Sequence, residues 1–157
     1  MKNEKLRVLC ISGPNLKLLG TREPDVYGRE TLNDIHKRLK KRGAELGVVV
    51  DARQSDFEGN IVQWIGAAPK RYAGLLLNAA AYTHTSLAIF DALKATGIAC
   101  VEVHLSNPEA REAYRHKSLV APACIGKVSG FRGDSYVLAL EGLVAYLRRS
   151  PKAIAQG

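Results

Sequence analysis

Two short stretches carry side chains whose types and spacing could do chemistry. In "GTREPDVYG" (20–28), Arg22 and Tyr27 stand five positions apart among two glycines and a proline, which mark a loop. A connection holding both a guanidinium and a phenol is either a solvated surface loop with a half-packed tyrosine or part of a site. In "VEVHLSN" (101–107), Glu102 and His104 are two residues apart. On a strand that spacing puts both side chains on one face. A carboxylate beside an imidazole fixes its tautomer and favours the imidazolium, which suits a general acid. The plain alternative is a buried acid satisfied by some other neighbour.

Other chemistries find less support. His84, Glu102 and His104 could ligate a metal, yet no H-x-x-H, H-E-x-x-H or C-x-x-C spacing occurs. "SGPNLKLLG" (12–20) lacks both the dinucleotide-binding and the P-loop glycine patterns. There is no G-x-S-x-G elbow for a serine nucleophile. Acid–base chemistry without metal or other cofactor remains.

Such groups need elements to hold them. "LRVLCIS" (6–12), "GVVVDAR" (47–53), "AGLLLN" (73–78), "ACVEVH" (99–104) and "CIGKVSG" (124–130) read as short strands, four of them almost continuously apolar. Continuous rather than alternating apolar residues predict strands covered on both faces, as in a parallel sheet. Helical patterns separate them. Leu32, Ile35 and Leu39 recur after a Thr31 N-cap, with Gly43 as the stop. Ile61, Trp64, Ile65 and Ala68 form one stripe; Leu87, Ile89, Phe90 and Leu93 form a broad buried face ending at Gly97; Val137, Leu140, Val144 and Leu147 form the last, and a short helical turn falls near 108–115. Alternating β and α elements predict a flavodoxin-like three-layer α/β sandwich around a five-stranded parallel sheet of order 2-1-3-4-5. The expected organisation is one domain over 1–150 and a tail over 151–157.

In such a sheet ligands bind beyond the carboxyl ends of the strands. The groups that could do chemistry follow those ends: Asn15 and the 20–28 loop after the first strand, Asn78 and His84 after the third, His104 and "LSNPEAREAYR" after the fourth. Gly43, Pro69 and Gly97, which are stop and turn residues, fall at the other edge. That asymmetry makes Arg22 and Tyr27 candidates rather than loop filler.

Composition bounds the rest. With 46% hydrophobic and 24% charged residues in 157, the chain has the balance of a soluble globular domain. Cys10, Cys100 and Cys124 lie in apolar runs, which predicts buried free thiols in a reducing compartment. The first fifteen residues hold too few apolar positions for a signal-peptide core, and no run reaches the roughly 20 needed to cross a bilayer. A cytoplasmic location is expected, with no membrane partner. The net charge of +8 gathers in "HKRLKKR" (36–42) and "RRSPK" (148–152), neither interleaved with aromatics nor part of a nucleic-acid motif. No nucleic-acid partner is expected, and a small anionic ligand suits the charge.

Taken in order, "GPNLKLLGTREPDVYG", "QSDFEG", "NAAAYTHTS", "VEVHLSN" and "GDSYVLAL" resemble the type II 3-dehydroquinate dehydratases across residues 7–147. The resemblance implies a flavodoxin-like fold, assembly as a dodecamer of trimers, and anti elimination of water from 3-dehydroquinate through an enolate, without metal or Schiff base. It implies that Tyr27, as tyrosinate, takes the C2 proton with Arg22 and Arg115 favouring the anion. His104, oriented by Glu102, protonates the departing C1 hydroxyl, and Asn15 holds a water that stabilises the enolate. Asn78, His84 and Arg115 bind ring hydroxyls, Leu105 and Ser106 meet the carboxylate, and Asp91 reaches the site of a neighbouring subunit. A free phenol titrates near pH 10, so about one in a thousand is ionised at pH 7. A cation about 4 Å away at an effective dielectric of about 20 contributes up to about 4 kcal/mol, nearly three pKa units. Desolvation opposes this, so a second arginine is useful, and arginine does not itself lose the proton.

Some positions depart from the pattern the resemblance implies: Ala79 for a proline, Lys17 for an asparagine, Asp56 often Asn, Lys117 for a histidine and Arg132 for a glycine. None removes a group assigned a catalytic role. Competing readings are a flavodoxin-like module binding a nucleotide or flavin at the same edge, a scaffold using Lys37, Lys40 and Lys41 against an acidic partner, and the same reaction serving quinate breakdown.

Overall fold

The structure is a computed structural model that describes residues 5–21, 23–27 and 29–150, with backbone alone for Val26 and Tyr27. Arg22, the Tyr27 side chain and the tail over 151–157 lie outside the described residues. The strands are β1 (Arg7–Ser12), β2 (Val49–Gln54), β3 (Gly74–Asn78), β4 (Ala99–His104) and β5 (Gly126–Ser129). The helices are α1 (Pro24–Tyr27), α2 (Leu32–Glu45), α3 (Glu58–Ala67), α4 (Leu87–Thr96) and α5 (Asp134–Arg149). All strand pairs are parallel, in the order β2-β1-β3-β4-β5, as the alternating pattern predicts.

The continuous apolar runs have a direct cause. Val8 and Cys10 of β1 face α2 and α5, packing with Ile35, Leu39, Tyr136 and Leu140. Leu9 and Ile11 face α3 and α4, packing with Ile61, Ile65, Ile89 and Leu93. Each central strand therefore buries both of its faces. Register sets the upper edge: Ser12 lies opposite both Gln54 and Asn78, Leu77 opposite Glu102, and His104 opposite Ser129. The polar ends of β1, β3 and β4 thus share one rim.

Thr31 caps α2 as its sequence predicts, its hydroxyl accepting from the Asp34 N–H while the Asp34 carboxylate accepts from the Thr31 N–H. Hydrogen bonds from Thr31 hold the Asp34 carboxyl below its ordinary range. Such a cap contributes about 1 kcal/mol. Gly43 is a correction: it sits inside α2 and is not its stop. A Cβ there would come within 2.6 Å of Val50 Cγ2, so glycine lets the helix lie close on β2, and the chain turns at Gly47, φ 73°. Leu87 is a second correction, being 64% exposed at the first turn of α4, while Gly97 does end that helix at φ 61°. In α5 Tyr136, Ala139, Leu140 and Leu143 are fully buried, while Val137 is only half-buried. Cys10 and Cys100 are buried and Cys124 only half-buried; all three are free thiols, and burial pushes that of Cys10 up to about 12. Among the described residues no helix is long and apolar enough to cross a membrane.

Candidate active site at the carboxyl edge of the sheet

Three loops leave the rim at Ser12, Asn78 and His104 and enclose a cleft of about 110 Å³. The first is drawn in tightly. The Gly13 N–H donates to the Asn78 carbonyl at 2.8 Å, and a Cβ on Gly13 would lie 2.6 Å from the Ala79 carbonyl oxygen, so only glycine permits this approach. Asn15 follows in the left-handed region at φ 65°. Its N–H donates to Asp56 Oδ1 at 3.0 Å, and Lys17 forms an ion pair with Asp56 Oδ2. Gln54 Nε2 donates to Asp56 Oδ1 and to the Gly13 carbonyl, at 3.0 and 3.1 Å. The Lys17 hydrogen bond, then that from Asn15, holds the Asp56 carboxyl below its usual range. Lys17 and Asp56, two positions that depart from the pattern the resemblance implies, are thus partners of one another.

Asn78 is held by its own turn and by the opposite layer. Its Oδ1 accepts from the Ala80 N–H at 3.1 Å, which fixes the amide orientation, and its Nδ2 donates to the Tyr136 hydroxyl at 3.0 Å. Tyr136 also shares a 3.2 Å hydrogen bond with Ser12 Oγ, and burial pushes its phenol well above the ordinary value. Further along, His84 Nδ1 lies 2.7 Å from the Lys117 carbonyl. A carbonyl only accepts, so Nδ1 carries the hydrogen and Nε2 is the ring nitrogen left for a ligand.

At the end of β4, His104 Nε2 lies 2.6 Å from Glu102 Oε1. Glu102 is fully buried and His104 is 7% exposed. Ser118 Oγ donates to both carboxylate oxygens, at 2.9 and 3.1 Å. Beyond β4, Glu112 draws in two arginines: Arg115 Nε at 3.1 Å and Arg111 Nε at 3.6 Å. Hydrogen bonding to its own backbone N–H, then the two guanidinium charges, hold the Glu112 carboxyl low.

Of the residues expected at a site, Asn15, Asn78, His84, His104, Leu105, Ser106 and Arg115 line the cleft, and Glu102 stands behind His104. Asp91 does not join them; it is exposed on α4. Arg22 and the Tyr27 side chain lie outside the described residues. Arg111 also lines the cleft and was not anticipated, although its i, i+4 spacing to Arg115 in "AREAYR" was a usable signal. Apolar walls come from Pro14, Leu16 and Leu19. Arg132 keeps φ 52°, in the left-handed region. Among the described residues no group of three or more His, Cys, Asp or Glu side chains converges in a metal-binding arrangement.

A doubly wound sheet with a carboxylate–imidazole pair, amides and arginines converging at its carboxyl edge defines a flavodoxin-like α/β protein with a polar cleft where such sheets bind ligands. Residues 6–144 match the family described as dehydroquinase class II. The chain is 51% identical over 146 residues to the 3-dehydroquinate dehydratase of Hyphomonas neptunium, covering 93% of this chain and 96% of that one. It is 50% identical over 136 residues to that of Rhizobium johnstonii, covering 87% and 94%. The crystal structures of type II dehydroquinases from Butyrivibrio crossotus and Propionibacterium acnes superpose with TM-scores of 0.87 and 0.85, at 36% and 41% identity. Coverage of this chain is 88% and 90%, and of those chains 97% and 99%. The chain belongs to the class II dehydroquinase family.

Proposed function

We infer that the protein is a 3-dehydroquinate dehydratase of type II, a hydro-lyase of the shikimate pathway that removes water from 3-dehydroquinate to give 3-dehydroshikimate. The observation that carries this reading is the cleft, where Asn78, His84, His104 and Arg115 gather in a chain that belongs to the family. In the proposed reaction Tyr27, as phenolate beside Arg22, removes the C2 hydrogen. The electrons move into an enolate, which a water held by Asn15 stabilises. Collapse of the enolate expels the C1 oxygen, and His104 supplies the proton that lets it leave as water. Asn78, His84 and Arg115 hold ring hydroxyls, and Leu105 and Ser106 hold the carboxylate. The phenolate's charge is what makes a carbon-bound hydrogen removable, and arginine is the side chain that favours it without losing its own proton.

The cytoplasm is the proposed location and a dodecamer of trimers the proposed assembly, with Asp91 serving a neighbouring subunit. Support for assembly comes from large apolar side chains open on the single chain: Phe57, Leu87, Tyr114 and Phe131 are all more than 60% exposed. Sedimentation equilibrium reads the assembly directly, and a monomer in solution rejects it.

Incubation with 3-dehydroquinate, followed in the ultraviolet, is expected to show growth of the conjugated enone of the product. Tyr27→Phe is expected to lower kcat by about 10²–10⁴-fold with the fold intact. Folded wild-type protein that forms no enone overturns the dehydratase reading, and an unimpaired Tyr27→Phe overturns the phenolate base.

A further inference from the structure

We propose that Ser118 is a positioning residue of this site, acting through Glu102 on His104. The inference rests on the dehydratase reading above for its consequence in turnover, though not for its geometry. Ser118 lies beyond β4, in the segment running toward β5, and it does not line the cleft. Its hydroxyl oxygen accepts from the Ala121 N–H at 2.9 Å. With that oxygen engaged by an amide, the hydroxyl's single hydrogen is directed at Glu102, where it straddles Oε1 at 2.9 Å and Oε2 at 3.1 Å. Glu102 is wholly buried, so water does not stand in for a missing donor there. The result is a directional chain from the Ala121 N–H through the Ser118 O–H and the Glu102 carboxylate to His104 Nε2.

The direction matters for the imidazole. A carboxylate accepts and does not donate, so the hydrogen of the 2.6 Å contact belongs to Nε2. Nδ1 is then the ring nitrogen presented to a ligand, and in the imidazolium it carries the proton that His104 supplies. Rotation of the Glu102 carboxylate would release that choice, and the two-pronged Ser118 contact opposes the rotation. The same short segment reaches the other histidine of the cleft. The Lys117 carbonyl takes the hydrogen of His84 Nδ1 at 2.7 Å, and the Leu119 N–H donates to the Thr83 carbonyl at 2.8 Å. Lys117 and Leu119 therefore clamp the His84 turn, while Ser118 between them orders His104. Both imidazoles have their tautomer set from one strap that itself stands outside the cleft.

The test compares Ser118→Ala with Ser118→Thr, which keeps the hydroxyl. The alanine variant is expected to lower kcat on the order of 10–100-fold, the effect of losing one hydrogen bond to a buried charge. KM is expected to stay within about twofold, since no ligand contact is removed. Threonine is expected to restore most of the rate. In ¹⁵N spectra of the ligand-free protein, the neutral form of His104 is expected to keep its hydrogen on Nε2 in the wild type and threonine variants, and to give an averaged signal with alanine. Should alanine prevent folding, Ser118→Thr and Ser118→Val, equal in size, make the same comparison. Wild-type kcat and an unmoved His104 signal in the alanine variant overturn the proposal. So does an equal loss with threonine and alanine, or with threonine and valine, because volume rather than the hydroxyl then matters. If the wild type forms no enone, the dehydratase reading fails by itself, and the ring-nitrogen signals still decide what Ser118 does.

Discussion

Two carboxylates in this sheet are dressed almost alike and sit in very different places. Glu102 on β4 meets the imidazole of His104 and the hydroxyl of Ser118; Asp51 on β2 meets the guanidinium of Arg7 at 2.6 Å and the hydroxyl of Tyr72 at 2.8 Å. Position separates them. β4 is interior, and Glu102 sits at the rim where ligands enter with none of its surface open. β2 is an edge strand, Asp51 pairs across from Leu9 well below that rim, and its side chain is 35% exposed. At Asp51 burial alone raises the carboxyl, and the hydrogen bonds from Tyr72 and Arg7 outweigh it, so the group ends below its usual range. Burial is also what first raises the Tyr72 phenol. The set of Asp51, Arg7 and Tyr72 ties β1, β2 and the turn before β3 together and leaves no group facing a cleft. The comparison teaches that a carboxylate with a cationic partner and a hydroxyl is not by itself a catalytic device. What sets Glu102 apart is complete desolvation and a place at the strand end, and on these its proposed role rests.

The sharpest way to break the comparison is to neutralise each carboxylate in place. Glu102→Gln keeps the shape but lets an amide nitrogen face His104, so the ring can take the other tautomer. Loss of a positioned acid is expected to lower kcat by about 10²–10³-fold, with KM changed much less. Steady-state kinetics on 3-dehydroquinate read both terms. Asp51→Asn, assayed alongside, is expected to leave kcat within about twofold. Equal losses in the two variants would mean that the position of a carboxylate on the sheet decides nothing.

A third carboxylate sharpens the scale. Asp56 is about as open as Asp51, at 34% against 35%, but it stands at the rim and holds the Asn15 N–H. Its ion pair with Lys17 is half in solvent, where screening leaves such pairs little to add to stability. The consequence of losing it is therefore expected in the shape of the 13–19 turn more than in stability. Asp56→Ala is expected to raise KM about 2–10-fold with kcat within about threefold. Asp56→Asn, which retains an acceptor for Asn15 and Gln54, is expected to stay within about twofold of wild type. A larger kcat loss for the alanine variant than for Glu102→Gln would reverse the ranking.

Much of this was legible in the sequence, for reasons that also mark where legibility stops. The period of two along a strand places Glu102 and His104 on one face without further information, and the unbroken apolar runs of β1 and β3 announce a sheet covered on both sides. The Thr31 cap is a local pattern and was read correctly. Gly43 was misread because a missing Cβ serves helix termination and close packing equally well, and only the position of Val50 distinguishes them. Leu87 was misread because helical spacing does not say how far a neighbouring element extends. The partners that hold the site come from afar: Ser118 is 16 residues from Glu102, Lys17 is 39 from Asp56, and Tyr136 is 58 from Asn78. "GDSYVLAL" was visible as a motif, yet nothing local says that its tyrosine crosses to the β3 turn.

The smallest expected effect belongs to Asp51→Asn, on stability rather than rate. The Asp51 carboxyl is held below its ordinary value in the folded chain, so the unfolded chain binds its proton more readily. Its stabilisation is complete above the unfolded carboxyl value of about 4, and it is lost as pH falls through the lower folded value. A pair this open to solvent is screened, which limits the contribution to about 0.5–1 kcal/mol. For a chain of this length that is about 1–4 °C in Tm. Thermal unfolding at pH 7 is expected to place Asp51→Asn below wild type by that amount, with the gap narrowing steadily below about pH 4. A gap that widens on acidification would mean that the carboxyl is raised rather than lowered by its setting, and that burial outweighs Arg7 and Tyr72. Asp51 would then be an uncompensated charge at the sheet edge, and the contrast with Glu102 would rest on burial alone.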